Sequence, residues 1–190
     1  IWYYLIMQSA TYTKYVLEAN SRDIISKIPT PSKWSSIISV HTGQGTFVDP
    51  EFFRWMYNRV GKPYHWWYFS NKTEEELKAY LHDKTFYTLM LAETPIGFAI
   101  TEFEFDTNSI NLSYFGLTPA GITHGIRNLG SYFLLTVLSD WIYDSSKFWV
   151  YTTSWDHPAA IPCYKKAGFS MVSEESVTEQ VPDWVANGVS

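Results

Sequence analysis

The sequence predicts an α/β domain built on one mixed, mostly antiparallel central sheet with helices on its faces. Three strand-like runs, at 85–92, 96–105 and 110–117, follow one another with short turns between them, which is typical of an antiparallel meander. An apolar helix pattern over 130–144 then leads to a strand at 147–153, an order that favours a right-handed crossover between parallel strands. The chain has 190 residues, 46% of them hydrophobic, which is enough to enclose one full core.

The first 47 residues carry the weakest signals. Residues 1–8 are aromatic and aliphatic with no helix cap in front of them, so we expect a strand there. Between 10 and 45 the pattern is weak, and one short β-like run stands out at 36–40. We therefore expect a single domain over 1–190, in which the N-terminal part, 1–47, is a strand followed by an irregular region.

Two helices are predicted before the central strands. Asp49 and Pro50 are typical of a helix start, because an aspartate side chain caps free amides and proline fits the first turn. Thr73 and Glu76 have the spacing of a capping box, which predicts the start of the second helix. The segment between the helices is an aromatic loop, Tyr64-His65-Trp66-Trp67-Tyr68-Phe69.

The elements after the meander include a loop and a closing strand. Residues 121–130 are punctuated by glycines and are expected to form a loop. A short helix is expected to end at Ala167, because Gly168 suits the position that terminates a helix. A β-like segment from Phe169 then closes the domain.

The charge balance and the cysteine content exclude several classes of protein. With 14 Lys and Arg against 19 Asp and Glu, the net charge is −5, which does not suit binding to nucleic acid. Cys163 is the one cysteine, which excludes an internal disulfide, and the five histidines lack metal-ligand spacing, so we expect no metal. No apolar run approaches the ~20 residues of a membrane helix, so we expect no membrane partner, and the single cysteine suits a reducing cytoplasm, where we expect the protein. Aromatic residues make up 18% of the chain, which predicts rings that line a cavity or an interface such as that of a homodimer.

The turn before the helix at 130–144 has the features of an anion site. A strand that ends in a glycine-bearing loop and opens a helix leaves backbone amides pointing at one spot, with the helix dipole behind them. Gly130 lets a ligand approach the backbone, Asn128 tolerates a positive φ, and Arg127 adds a fixed positive charge. The alternative is an ordinary turn in which the glycine is required only for steric reasons.

The helix after the strand at 147–153 carries a resemblance to a known family. Its pattern, Ala160-x-x-x-Tyr164-x-x-x-Gly168-Phe169, is similar to the acetyl-CoA-binding core of the GNAT superfamily of N-acetyltransferases. The resemblance implies the GNAT fold, in which strands of the central sheet splay apart at the cofactor site.

Further segments extend this resemblance. Residues 127–131, with the sequence Arg-Asn-Leu-Gly-Ser, are similar to the pyrophosphate loop of the superfamily, with Asn128 in place of its first glycine. Two longer strings, at 111–119 and 156–160, resemble a bacterial subgroup whose substrate is unassigned. The resemblance covers about residues 48–175.

The resemblance implies an acyltransferase that moves an acetyl group from acetyl-CoA to a primary amine by direct attack in a ternary complex. It implies that Tyr164 donates a proton to the leaving CoA thiolate, although a surface position on an amphipathic helix is the alternative. The cofactor site that it implies comprises ten residues: Phe115, Gly116, Leu117, Arg127, Asn128, Leu129, Gly130, Ser131, His157 and Ala160.

The base that takes the proton of the amine has several candidates. Glu102 and Glu104 share one face of a strand, so either carboxylate could be catalytic, and a solvated strand face is the alternative. A chain of water molecules could also take the proton, and His65 is a further candidate, because imidazole accepts a proton near neutral pH. Tyr64, His65 and Trp66 are expected to form an acceptor wall, or else to pack in the core. An aromatic wall suits the ammonium of a small-molecule amine or of a peptide acceptor.

Two other functions stay open at this point. The first is a catalytically inactive acyl-CoA-binding module of the same fold that acts as a sensor or interaction domain. The second is an aromatic-lined binding protein for carbohydrate or peptide, with no connection to CoA. Binding of acetyl-CoA separates this last function from the others, and release of free thiol separates an enzyme from a binding module.

Overall fold

The computed structural model describes residues 7–27 and 37–189 of the chain. Within them, one sheet contains seven strands: β1 (Met7–Asn20), β2 (Ile38–Gln44), β3 (Thr85–Leu91), β4 (Thr94–Glu104), β5 (Ser109–Leu117), β6 (Lys147–Thr153) and β7 (Ser170–Pro182). The strand order is β2-β3-β4-β5-β6-β1-β7, and each neighbouring pair is antiparallel except β5 and β6, which run parallel. The predicted mixed, mostly antiparallel sheet and its parallel crossover are confirmed.

Helices cover both faces of this sheet. They are α1 (Ser21–Ile25), α2 (Pro50–Gly61), α3 (Glu74–Leu81), α4 (Pro119–Thr123), α5 (Leu129–Ser139), α6 (Ala160–Ala167) and α7 (Asp183–Ala186). Short 3-10 helices lie at Gly45–Phe47, Lys62–Tyr64 and Asn187–Val189.

The two predicted helix starts are confirmed by their side-chain caps. Asp49 Oδ1 accepts a hydrogen bond from the Glu51 amide at 2.8 Å at the start of α2. At the start of α3, the Glu76 amide donates to Thr73 Oγ1 at 3.2 Å, while the Thr73 amide donates to Glu76 Oε2 at 2.7 Å. These bonds satisfy amides that have no partner within the helix, so local sequence is sufficient to fix both starts.

The sheet separates two hydrophobic cores. One core lies under α5 and α6 and includes Phe133, Phe148 and Ala99, all fully buried. The other lies under α2 and α3 and includes Phe53 and Phe98, also fully buried. Phe98 and Ala99 belong to different cores because successive side chains of a strand point to opposite faces.

The N-terminal region is more regular than the sequence predicts. Of the strand expected at 1–8, residues 1–6 lie outside the described residues, and β1 continues from Met7 to Asn20 between β6 and β7. The β-like run expected at 36–40 appears as β2, which begins at Ile38, and its residue 36 also lies outside the described residues. The loop expected at 121–130 is partly helical, because Thr118 caps α4 by accepting a bond from the Gly121 amide.

The feature that positions the site is a gap between the two parallel strands. Within the described residues, β5 and β6 pair only where Ser109–Asn111 lie beside Lys147–Trp149. The pairing of β4 with β5 also shifts register by one residue, which leaves Ser113 as an extra residue in β5. A bulge of this kind bends the strand that carries it, which is consistent with β5 diverging from β6 beyond that point.

Candidate functional site

A cavity of about 960 Å³ opens where β5 and β6 separate. Tyr114 and Phe115 both line it, and because these neighbours point to opposite faces of the sheet, the cavity reaches both faces through the gap. Its walls come from β5, from the first turn of α5, from α6 and from the aromatic loop after α2. A cleft of this volume is large enough for a sizeable organic ligand.

The end of the cavity next to α5 is formed by the first turn of that helix. Asn128 adopts a left-handed conformation with φ 63° at the start of α5, and its side-chain oxygen accepts a bond from Lys166 Nζ at 2.9 Å. A Cβ added to Gly130 would meet only Leu117 Cδ1, at 3.8 Å, so the backbone of this turn is open to the cavity. Lys166 and the dipole of α5 both favour an anionic ligand at this end.

The predicted cofactor residues divide into those that line the cavity and one that does not. Arg127 is exposed and lies outside the lining. The His157 ring accepts a bond from the Ala159 amide at 3.0 Å, and it lies with Ala160 at the start of α6. The other lining residues of the predicted set are Phe115, Gly116, Leu117, Asn128, Leu129, Gly130 and Ser131.

Tyr164 lines the cavity from α6 and is 5% exposed. Its ring lies between those of Phe115 and Phe169, with centroid distances of 6.2 and 5.9 Å. Burial, and secondarily the charge of Asp156, raise the pKa of Tyr164 well above its ordinary value. The hydroxyl therefore carries its proton at neutral pH, which is the state that a proton donor requires.

Cys163, next to Tyr164, is not suited to act as a nucleophile. Burial raises the pKa of the Cys163 thiol, which keeps the sulfur protonated and poorly reactive. Its Sγ lies 3.6 Å from Ser131 Oγ.

The aromatic loop lines the opposite end of the cavity, where Tyr64, His65 and Trp66 come together as predicted. A Cβ on Gly61 would lie 2.3 Å from the Trp66 ring, so glycine at the end of α2 is what lets the loop fold back this closely. Trp66 Nε1 donates to Asp156 Oδ1 at 3.0 Å, which ties the loop to the segment before α6.

Asp156 also lines the cavity, although no sequence pattern predicts a role for it. Its Oδ2 accepts bonds from Thr152 Oγ1 at 2.7 Å and from the Thr153 amide at 2.8 Å, in addition to the bond from Trp66. The signal was present, since Asp156 opens one of the strings that carry the family resemblance. The carboxylate therefore ties the aromatic loop to the end of β6.

A cluster of hydroxyl groups surrounds the bulge in β5. The Tyr114 and Tyr57 hydroxyls are hydrogen-bonded to each other, and the Tyr80 hydroxyl is hydrogen-bonded to Ser113. Ser113 in turn donates to Asn111. Burial raises the pKa of all three tyrosines, so these hydroxyls stay protonated and can exchange hydrogen bonds with a polar ligand.

Glu102 and Glu104 share a face of β4, as the sequence predicts, but neither lines the cavity. Glu102 Oε2 pairs with Lys84 Nζ at 2.7 Å. Burial raises the pKa of Glu104, but hydrogen bonds from Trp149, Ser109 and Thr107 outweigh burial and hold that pKa below its ordinary value. The structure therefore does not bring either carboxylate to the site as a base.

The end of the cavity that the aromatic loop lines also contains residues from β1, from β7 and from the segment after β6. Tyr12 of β1, Trp155 after β6 and Glu179 of β7 all line it. Sequence reasoning missed them because their proximity depends on pairing between β1, β6 and β7, which are far apart in the chain.

Comparison with solved structures identifies the fold. A GCN5-related N-acetyltransferase from Sphaerobacter thermophilus is 12% identical, with a TM-score of 0.61 over 93% of this chain and 53% of that chain. A second one, from Kribbella flavida, is 13% identical, with a TM-score of 0.54 over 93% of this chain and 60% of that chain. An acetyltransferase from Thermus thermophilus is 12% identical, with a TM-score of 0.54 over 76% of this chain and 97% of that chain. The chain therefore has the fold of the GNAT N-acetyltransferases.

The match to two of these proteins covers only part of their length. The chain spans 53% and 60% of the length of the Sphaerobacter and Kribbella proteins. No family model and no curated protein matches the sequence.

Across residues 7–27 and 37–189, no helix is long and apolar enough to cross a membrane. The same residues contain no group of three or more His, Cys, Asp or Glu side chains arranged to hold a metal ion.

Proposed function

We propose that this protein is an acyltransferase that moves an acetyl group from acetyl-CoA to a primary amine by direct transfer. The observation that carries the proposal is the gap between β5 and β6, which joins the first turn of α5, with Lys166 beside it, to an aromatic pocket on the other side. A cofactor with an anionic diphosphate and a neutral amide-bearing arm fits that polarity. The GNAT fold supports the same assignment.

The cofactor end of the cavity would hold acetyl-CoA through backbone groups. Amides at the start of α5, around Gly130, face the cavity together with Lys166 and would bind the diphosphate. The edge of β5 that faces the gap, at residues 114–117, would pair with the amides of the pantetheine arm as an added strand does. Acetyl-CoA supplies the acetyl thioester.

Two side chains would move protons in the reaction. The amine nitrogen bonds to the thioester carbonyl carbon, the carbon–sulfur bond breaks, and the sulfur leaves with the electron pair. We propose that Tyr164 gives its hydroxyl proton to that sulfur and that His65 takes the proton lost by the amine. His65 is preferred over Glu102 and Glu104 because it lines the cavity and they do not. Proton transfer from a positioned group contributes roughly 10²–10⁴-fold to rate.

The test is release of free CoA thiol by the purified protein in the presence of acetyl-CoA and a panel of primary amines. We expect amine-dependent thiol release matched by an equal amount of acetylated amine in the mass spectrum. Binding of acetyl-CoA without thiol release for any amine would contradict the enzyme and support a binding module. Failure to bind acetyl-CoA would overturn both.

The proton donor is tested by Tyr164→Phe, with Tyr143→Phe as the matched control because Tyr143 is 94% exposed and outside the cavity lining. We expect Tyr164→Phe to lower kcat by about 10²-fold while its acetyl-CoA affinity stays close to that of the wild type. Tyr143→Phe should leave kcat unchanged. Equal turnover in both variants would refute the role of Tyr164.

A further inference from the structure

A second aromatic wall stands at the acceptor end of the cavity and is built from β1, from the segment after β6 and from the aromatic loop after α2. The centroids of the Tyr12 and Trp155 rings lie 4.5 Å apart, and the centroid of the His65 ring lies 5.8 Å from that of Trp155. Tyr12 comes from β1 and Trp155 from the segment after β6, which the antiparallel pairing of these strands brings together. Electron-rich ring faces of this kind attract cations.

A carboxylate lies beside this wall. The Tyr12 hydroxyl donates a hydrogen bond to Glu179, which lines the cavity from β7 and is half-buried. Burial and the Glu179 carboxylate together raise the pKa of Tyr12 to about 12, so the hydroxyl stays protonated and the bond persists at neutral pH. A carboxylate accepts about four hydrogen bonds, so Glu179 retains capacity for a ligand donor.

The charges of the cavity are separated between its ends. Lys166 lies at the cofactor end, and the two carboxylates of the lining, Asp156 and Glu179, lie toward the acceptor end. Asp156 is occupied by its bonds to Trp66, Thr152 and Thr153. Glu179 therefore supplies the negative charge at this end that is open to a ligand.

A lysine on the same strand as Tyr12 does not cancel that charge. Lys14 Nζ pairs with Glu175 at 3.3 Å, and Glu175 is outside the cavity lining. Lys14 also lies over the Tyr151 ring, with its Nζ 5.4 Å from the centroid. Its charge is thus balanced by Glu175, and Glu179 is left to an incoming cation.

We propose that Glu179 and the rings of Tyr12 and Trp155 bind a second ammonium group of the acceptor, so that the substrate class is a diamine or longer polyamine. The inference rests on the proposed function, because it assigns the other end of the amine that is acetylated. One amine would enter the gap between β5 and β6 and react, while the distal ammonium is held by the carboxylate and the rings. An amine without a distal charge would place an apolar chain against the half-buried Glu179 carboxylate and displace water from it, which is unfavourable.

The experiment compares amines of equal carbon number, 1,4-diaminobutane and n-butylamine, in the thiol-release assay. We expect kcat/KM to be higher for the diamine by about tenfold or more, because its distal ammonium gains a hydrogen bond to a charged carboxylate. In Glu179→Gln the ratio of the two kcat/KM values should fall to near one. The control is Glu174→Gln, on the same strand but on its opposite face, which should keep the wild-type ratio.

A second measurement separates failure of this inference from failure of the proposed function. Calorimetric titration of each amine into the CoA-loaded and the free protein reports binding even if no acetyl group is transferred. Tighter binding of the diamine, weakened about tenfold by Glu179→Gln, supports the cationic subsite without turnover. Equal affinity for both amines, or a diamine preference that survives Glu179→Gln in a variant that melts like the wild type, overturns it.

Discussion

The hydrogen bond between Trp66 and Asp156 should hold the two walls of the cavity together, and a double-mutant cycle can measure its contribution. Trp66 Nε1 donates to Asp156 Oδ1 at 3.0 Å, while Oδ2 accepts bonds from Thr152 and Thr153. In Asp156→Asn the single remaining carbonyl oxygen would stay with the two threonines. The new amide group would then face the indole N–H, so that two donors would meet.

The magnitude follows from these contacts. A hydrogen bond to a charged group contributes about 1.5–3 kcal/mol, and the lower part of that range applies because Asp156 is partly exposed. We therefore expect Asp156→Asn to lower the free energy of unfolding by about 2 kcal/mol, which corresponds to a fall in Tm of about 4–8 °C for a domain of this size. Trp66→Phe should cost about 1.5 kcal/mol from the same bond, in addition to lost packing.

The assay is urea denaturation of the wild type, the two single variants and the double variant. Because both single variants remove the same bond, we expect a coupling energy of about 1 kcal/mol. Trp184→Phe is the matched control, since Trp184 is 43% exposed and lies outside the cavity lining. A coupling energy below about 0.3 kcal/mol would mean that the two residues act independently, and the reasoning would be refuted.

Two further predictions concern close packing and pH. In Gly116→Ala the new Cβ would lie 2.3 Å from Val60 Cγ1, so we expect the free energy of unfolding to fall by about 1–3 kcal/mol. Adding Val60→Ala should restore part of that loss, and a double variant with no restoration would contradict the contact. The pKa of Glu104 is lower in the folded protein than in the unfolded chain, so its stabilisation is present at neutral pH and is lost as the pH falls through the folded pKa. Urea midpoints of the wild type and Glu104→Gln should therefore converge as the pH falls below the ordinary glutamate pKa of about 4.3, and a difference that stays constant would exclude this linkage.

The sequence predicts well those features that local interactions decide. The helix starts at Asp49 and Thr73 follow from caps within three residues, and the meander of β3, β4 and β5 follows from short turns. The crossover from β5 through α5 to β6 follows from handedness, which also locates the gap on which the site depends.

The sequence does not predict what distant strands bring together. The sequence correctly places Glu102 and Glu104 on one face of a strand. Their partners, Lys84 and Trp149, come from other elements, so no local pattern predicts that these contacts hold the two carboxylates outside the cavity. The same holds for Glu179, because its place in the cavity depends on β1 being inserted between β6 and β7. Pairing of this kind is set by burial across the whole sheet rather than by turn chemistry.

Calorimetric titration with acetyl-CoA tests the central claim, that the gap between β5 and β6 is the cofactor cleft. The comparison is between the wild type and Gly130→Leu, in which a side chain would project into the cavity past Leu117. We expect saturable binding by the wild type and affinity weaker by about tenfold or more in a variant that melts normally. No binding by the wild type, or equal affinity in the two proteins, would contradict the account.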